Sequence, residues 1–231
     1  MKALLYKEFK LAMHPICYIF IAVFPFMMLI PSYPLAVGFI YVLSCYPILF
    51  LGANKGQQSN DLLFSTLLPV RKKDIVLARI ITVIIMQLGF IAISACLLPL
   101  AIFVQNSVVA SSEDASKTLE SIAHAGFDLS AFTLVVAIAI IGFALADLIF
   151  FPIYYKHGKS IVMSTLFTIL GFVVYVGVTT IALPYIIGVE KCNAVPLWIQ
   201  VIALGGAILV SFLVHFVVYK VSARELERVD F

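Results

Sequence analysis

Long apolar runs separated by short polar stretches set the pattern of this chain, falling at roughly 15–33, 35–53, 78–104, 129–154, 161–188 and 197–219. A helix crosses a hydrocarbon core of about 30 Å with about 20 residues, so each run is long enough to span a bilayer. The runs are far longer than the roughly 10-residue alternating strands of an outer-membrane barrel, and in lipid a helix satisfies its backbone hydrogen bonds within one segment. The pattern predicts an all-α polytopic membrane protein: one transmembrane domain over residues 1–231 with six transmembrane helices.

The spans are unevenly built. Span one is interrupted by Pro25 and ends in Pro31-Ser32-Tyr33-Pro34, a turn so short that spans one and two must be packed neighbours. Span five carries Gly171, Gly177, Pro184 and Gly188. Two readings stay open for it: a long tilted helix, or one whose outer end breaks and dips back into the membrane under protein cover.

Two pieces stand apart from the spans. Over residues 3–13, Leu4, Leu5, Phe9, Ala12 and Met13 recur at helical spacing with Lys7 and Lys10 among them, which predicts an amphipathic elbow helix lying in the interface before the chain turns in at Pro15. The segment 53–77 is the longest loop on its side, and its centre has helix grammar. Ser59 or Asn60 can cap, Asp61 falls in the first turn, Leu63/Leu67 and Phe64/Leu68 pair at i,i+4, and Pro69 stops the run; Asp74 can then cap span three. Exposed leucines on such a helix need either a membrane surface or a protein partner to cover them.

Charge orients the spans. Lys2, Lys7 and Lys10 precede span one; Lys55, Arg71, Lys72, Lys73 and Arg79 lie between spans two and three; Lys156 and Lys159 separate four and five; Lys220, Arg224 and Arg228 follow six. Only Lys117 and Lys191 of the 15 basic residues fall on the other side, where 105–128 instead carries Glu113, Asp114, Glu120 and Asp128. Positive residues stay inside, so both termini are expected in the cytoplasm and the 105–128 loop outside. Composition agrees: 63% of residues are hydrophobic and 12% charged, which excludes a water-soluble enzyme as the default class. The net charge of +3 sits at span ends rather than on one stripe, so no nucleic-acid partner is expected. No apolar run of signal-peptide length with a small-residue cleavage site follows the first lysines, and the first segment is read as retained. Cys17, Cys45, Cys96 and Cys192 give no disulfide framework.

Candidate chemistry is sparse. Gly158-Lys159-Ser160 ends like a phosphate-binding loop, but the glycine required five residues earlier is Ile153 and no strand precedes it. Asp147 is the carboxylate within an apolar run and is therefore a candidate intramembrane charge, placed near the inner interface where it can snorkel or pair with Lys156 or Lys159. His14, His124, His157 and His215 are separated singletons without metal-ligand spacing, and no catalytic motif stands out. Gly142/Ala146 and Ala203/Ala207 are small-residue pairs that permit close helix packing.

The elbow segment Met1 to Lys10, the tight hairpin between spans one and two, and the stretch Leu67-Leu-Pro-Val-Arg-Lys-Lys-Asp-Ile-Val-Leu-Ala-Arg79 resemble the permeases of ABC-2 type exporters, most of all the small bacterial permeases related to the phenol-soluble modulin exporter. The resemblance implies two permease chains, as a homodimer, with two copies of a separate ABC ATPase subunit. It also implies a coupling helix that docks on that ATPase, mapping here to Gln57, Asn60, Asp61, Leu63, Phe64, Leu67 and Leu68. No cofactor is then expected on this chain, with ATP and Mg on the partner. The implied substrate is an amphipathic peptide such as a phenol-soluble modulin or an antimicrobial peptide, and the implied location is the bacterial cytoplasmic membrane. Competing readings are an ion- or proton-coupled carrier using Asp147, and a membrane enzyme or immunity protein that transports nothing.

Overall fold

The computed structural model describes residues 2–12, 15–29, 70–111, 131–157, 161–182 and 194–228. Among these every regular element is a helix. Helix α1 (Lys2–Lys7) continues as a π-helical turn over Glu8–Ala12, and α2 (Pro15–Val23) tightens into a 3-10 segment over Phe24–Leu29. The long helices follow: α3 (Lys72–Ser111), α4 (Phe132–His157), α5 (Ile161–Val176) with a π-helical extension Gly177–Ala182, and α6 (Leu197–Arg228). Four of them are long and apolar enough to cross a membrane: Lys72–Val104, Phe132–Lys156, Val162–Thr179 and Leu197–Arg228.

These four coincide with the expected spans three to six, with shifted ends. Helix α3 starts inside the stretch read as the cytoplasmic loop and runs on into the stretch read as the outer loop, and α6 extends well past residue 219. The polar ends extend the helices because Asp74 lies in the first turn of α3 and Arg228 in the last turn of α6, each complementing the helix dipole. In span one the described part is a short apolar helix, Cys17–Phe26, which tightens at Pro25, where the ring removes a backbone donor. Span two, the Pro31–Pro34 hairpin, the coupling segment, Gly158-Lys159-Ser160 and the outer end of span five lie outside the described residues.

Three hydroxyls inside apolar helices are satisfied locally. Thr82 donates to the Ala78 carbonyl at 2.9 Å, Ser94 to Phe90 at 2.9 Å and Thr168 to Ser164 at 2.7 Å, each one turn back along its own helix. Helix α4 is the centre of the bundle: 56% of its most apolar stretch is buried, against 11% for α6, whose outward face presents Ile202, Leu209 and Leu213. Phe150, Phe151 and Tyr155 of α4 are fully buried, with Phe150 stacked on Tyr154 at 5.7 Å and Phe151 on Tyr155 at 6.3 Å.

Helix α4 packs along both α5 and α6, while α3 packs against α6 and the α2 extension. Gly142, one of the small residues expected at a helix contact, lets α5 approach: a Cβ there would sit 2.8 Å from the Tyr175 ring. Tyr175 donates from its hydroxyl to the Ile138 carbonyl at 2.7 Å, which pins α5 to α4 one turn further along. Helices α3 and α4 meet through long side chains: Arg79 with Tyr154, Gln87 with Asp147, and Phe90 edge-on to Phe143 at 6.4 Å. As residue numbers rise along α3 they fall along α4 by nearly equal steps, which is an antiparallel register.

Candidate functional site

Among the described residues two polar clusters interrupt this apolar bundle. The deeper one forms around Asp147, which is 0% exposed. Helices α3, α4 and α6 each contribute a side chain to it. Gln87 donates from Nε2 to Asp147 Oδ2 at 3.0 Å, and His215 Nε2 lies 2.9 Å from the same oxygen. The far side of the imidazole, Nδ1, is 2.7 Å from the Ser211 carbonyl and 3.3 Å from Ser211 Oγ. Asp147 is nine residues before Lys156, or about 14 Å along the helix axis. Where the sequence reading let Asp147 snorkel or pair with Lys156 or Lys159, its side chain is enclosed by protein and meets Gln87 and His215.

A partly open cavity of about 220 Å³ adjoins this cluster. Gln87, Ser211 and His215 form its polar side, and apolar side chains such as Ile91, Phe143 and Phe212 form the rest. An apolar cavity of about 150 Å³ holds a benzene molecule, so this one has room for one large apolar group but not for a folded peptide.

The second cluster fastens α1 to the start of α3. Arg79 forks onto Glu8, with Nε to Oε2 at 2.9 Å and Nη2 to Oε1 at 3.2 Å, and its Nη1 donates to the Tyr154 hydroxyl at 3.2 Å. Lys7 Nζ lies 3.8 Å from Glu8, and Lys7, Glu8 and Arg79 are all buried. A bidentate guanidinium–carboxylate pair is the geometry in which burying both charges is best compensated. Around it Leu4 packs on Ile75 and Ala78, and the Tyr18 hydroxyl donates to the Phe9 carbonyl. Residues 2–12 are helical, and Lys7 and Glu8 on this segment are turned inward.

Sequence reasoning singled out Asp147 but not its neighbours. His215 is the sole imidazole of its apolar run and Asp147 the sole carboxylate of its own, so asking which spans carry one ionisable residue each would have paired them. Gln87 carried no such mark, and the Glu8–Arg79 pairing bridges 71 positions. The coupling residues Gln57, Asn60, Asp61, Leu63, Phe64, Leu67 and Leu68 lie outside the described residues.

The family model described as ABC-2 family transporter protein matches residues 3–222. No curated protein and no solved structure matches the chain. The family match runs from α1 to the last turns of α6, and the described residues include four membrane-length helices, so the chain belongs to the ABC-2 transporter family as a multi-pass membrane component, and that family implies an ABC ATPase partner.

Proposed function

We propose that this chain is the permease subunit of an ATP-driven exporter in a bacterial cytoplasmic membrane, with six spans and both termini cytoplasmic. It pairs with a second copy of itself and with two ATPase subunits, which bind ATP and Mg, and it moves amphipathic substrates, peptides foremost. The family match over residues 3–222 carries this reading.

In the proposed cycle ATP closes the paired ATPases, and their motion enters through Gln57 to Leu68 and passes into the start of α3. The Glu8–Arg79 fork lies two turns into α3 and couples that motion to α1, because a buried bidentate pair resists being pulled apart. Exposed side chains such as Phe103, Phe167 and Phe212 fit lipid or a membrane-soluble amphipath better than a hydrophilic ion.

The test is co-expression with a candidate ABC ATPase subunit, followed by co-purification and substrate-stimulated hydrolysis in proteoliposomes, with the chain alone neither binding nor hydrolysing ATP. Stoichiometric nucleotide binding by the isolated chain, or failure of any ATPase to co-purify, overturns the reading. The Asp147–His215 pair favours one competitor, a proton-coupled carrier. That reading requires transport by the purified chain in a proton gradient with no ATPase present.

A further inference from the structure

The cavity between α3, α4 and α6 opens on the apolar surface of the bundle. Leu88 of α3 with Ile208 and Phe212 of α6, all exposed, stand at its mouth, and the buried Phe143 with the half-buried Ile91 and Ile140 form its inner wall. The polar atoms at its edge are engaged within the protein: Gln87 donates to Asp147, and the His215 ring lies between Asp147 and Ser211. What fills this space is therefore apolar. Its volume of about 220 Å³ exceeds the roughly 150 Å³ that holds benzene, and left empty it would forfeit the dispersion contacts of its lining. In a bilayer the apolar groups that meet such a mouth are acyl chains.

The surface leading to the mouth ends in charge of one sign. Ile208, Phe212, Phe216 and Lys220 follow one another at i,i+4 spacing on α6, each exposed, and Lys220 Nζ lies back over the Phe216 ring at 4.5 Å. Arg224 is exposed one turn further on. The carboxylates of this end of α6 are committed elsewhere, Glu227 to Lys73 at 3.4 Å and Glu225 to Arg228 at 3.1 Å. Lys220 and Arg224 are thus, among the described residues, the cations of α6 that no carboxylate neutralises. Lys220 is eight residues from Phe212, about 12 Å along the axis, and one leaflet supplies about 15 Å of hydrocarbon, half of a core about 30 Å thick. One phospholipid therefore reaches both features.

We propose that α3, α4 and α6 form a binding site for a single anionic phospholipid, with one acyl chain filling the cavity and the phosphate-bearing headgroup held by Lys220 and Arg224. The ridge of Phe216 and Phe212 leads the chain from the headgroup to the mouth, and its end lies against Ile91, Ile140 and Phe143. An uncharged lipid fills the cavity equally well but gains nothing at the two cations, so headgroup charge sets the preference, and each cation near the membrane surface contributes about fivefold in affinity. A peptide is a poorer occupant, because its backbone N–H and C=O groups would enter a space whose polar atoms are already engaged. The site concerns a resident lipid and does not depend on what the transporter moves.

The test places the purified chain in phosphatidylcholine nanodiscs doped with a phospholipid whose acyl chain carries a photoreactive diazirine, and locates the adducts by mass spectrometry. A phosphatidylglycerol probe should label Ile140 or Phe143 on the inner wall, and should do so more than a phosphatidylcholine probe at equal dose. Lys220→Gln should cut that preference about fivefold, and Lys220→Gln combined with Arg224→Gln should bring the two headgroups level. Ile208→Trp, which fills the mouth, should abolish the inner adducts while labelling of the outward Leu213 persists; Leu88→Trp closes the same mouth from α3 if the first variant does not fold. Adducts confined to outward residues such as Leu213 overturn the proposal. So do inner adducts of equal yield from both probes, and inner adducts that survive both mouth-filling variants.

Discussion

Gly142 and Gly171 line the same contact between α4 and α5, yet a methyl group added to each meets different resistance. At Gly142 the new Cβ would lie 2.8 Å from Tyr175 Cε1 and 3.3 Å from the Phe172 ring, and Tyr175 is tethered through its hydroxyl to Ile138. At Gly171 it would meet only the end of Ile149, at 2.5 Å, and a terminal methyl can rotate away. Gly142→Ala should therefore destabilise by about 1–3 kcal/mol, as overpacking does, and Gly171→Ala by clearly less. Thermal unfolding of the two purified variants measures the order, and equal midpoints would refute it. The Glu8–Arg79 fork gives a second residue-scale expectation. Glu8→Ala leaves a buried guanidinium without its carboxylate and should cost about 3–5 kcal/mol, whereas Glu8→Ala combined with Arg79→Met should recover part of that, because the guanidinium is then gone while Lys7 still lacks the Glu8 carboxylate. A double-mutant cycle on unfolding midpoints tests this, and additive losses would argue against the pair.

For whole helices the open question is orientation, which rests on the lysines and arginines clustered at alternate span ends. Structure changes how this is best probed. Ser222, which the charge pattern alone would recommend as a cytoplasmic probe, is fully buried, while Arg224 on the next turn of α6 is exposed. In a cysteine-free background, Ser112→Cys should react with a membrane-impermeant thiol reagent added outside and Arg224→Cys should not, and the reverse pattern would invert the topology. The helix ends were only partly legible. Hydropathy finds where apolar residues stop, but a helix continues into water wherever its terminal turns carry suitable charges, as at Asp74 and Arg228.

At the scale of the assembled transporter, the leucine stripe Leu63/Leu67 with Phe64 should dominate contact with the ATPase. Burying a leucine or phenylalanine is worth roughly 1.5–3 kcal/mol, against about 0–1 kcal/mol for an exposed ion pair such as Asp61 could make. Leu67→Asp or Phe64→Asp should weaken ATPase pull-down or uncouple hydrolysis from export at unchanged membrane level, and Asp61→Asn should do less. Wild-type values for both stripe variants would return the coupling role to the turn at 156–160. Arg79→Gln should uncouple as well while keeping the ATPase bound, because it loosens α1 from α3 without touching the docking segment.

The sequence alone determined the solvent of this protein and its class: runs of apolar residues longer than a bilayer needs, with basic residues at alternate ends, leave a helical membrane bundle as the fold, since both features are local and lipid permits few alternatives. It also marked Asp147 as out of place and carried the resemblance to ABC-2 permeases that the match over residues 3–222 supports. Only the tertiary structure decided what Asp147 faces. Its partners lie 60 and 68 positions away on helices whose order and rotation no local pattern encodes. The same holds for Glu8 and Arg79, where two charges that each read as interfacial are folded inward onto one another. A buried charge is stable only opposite its partner, and which partner that is depends on how the helices pack.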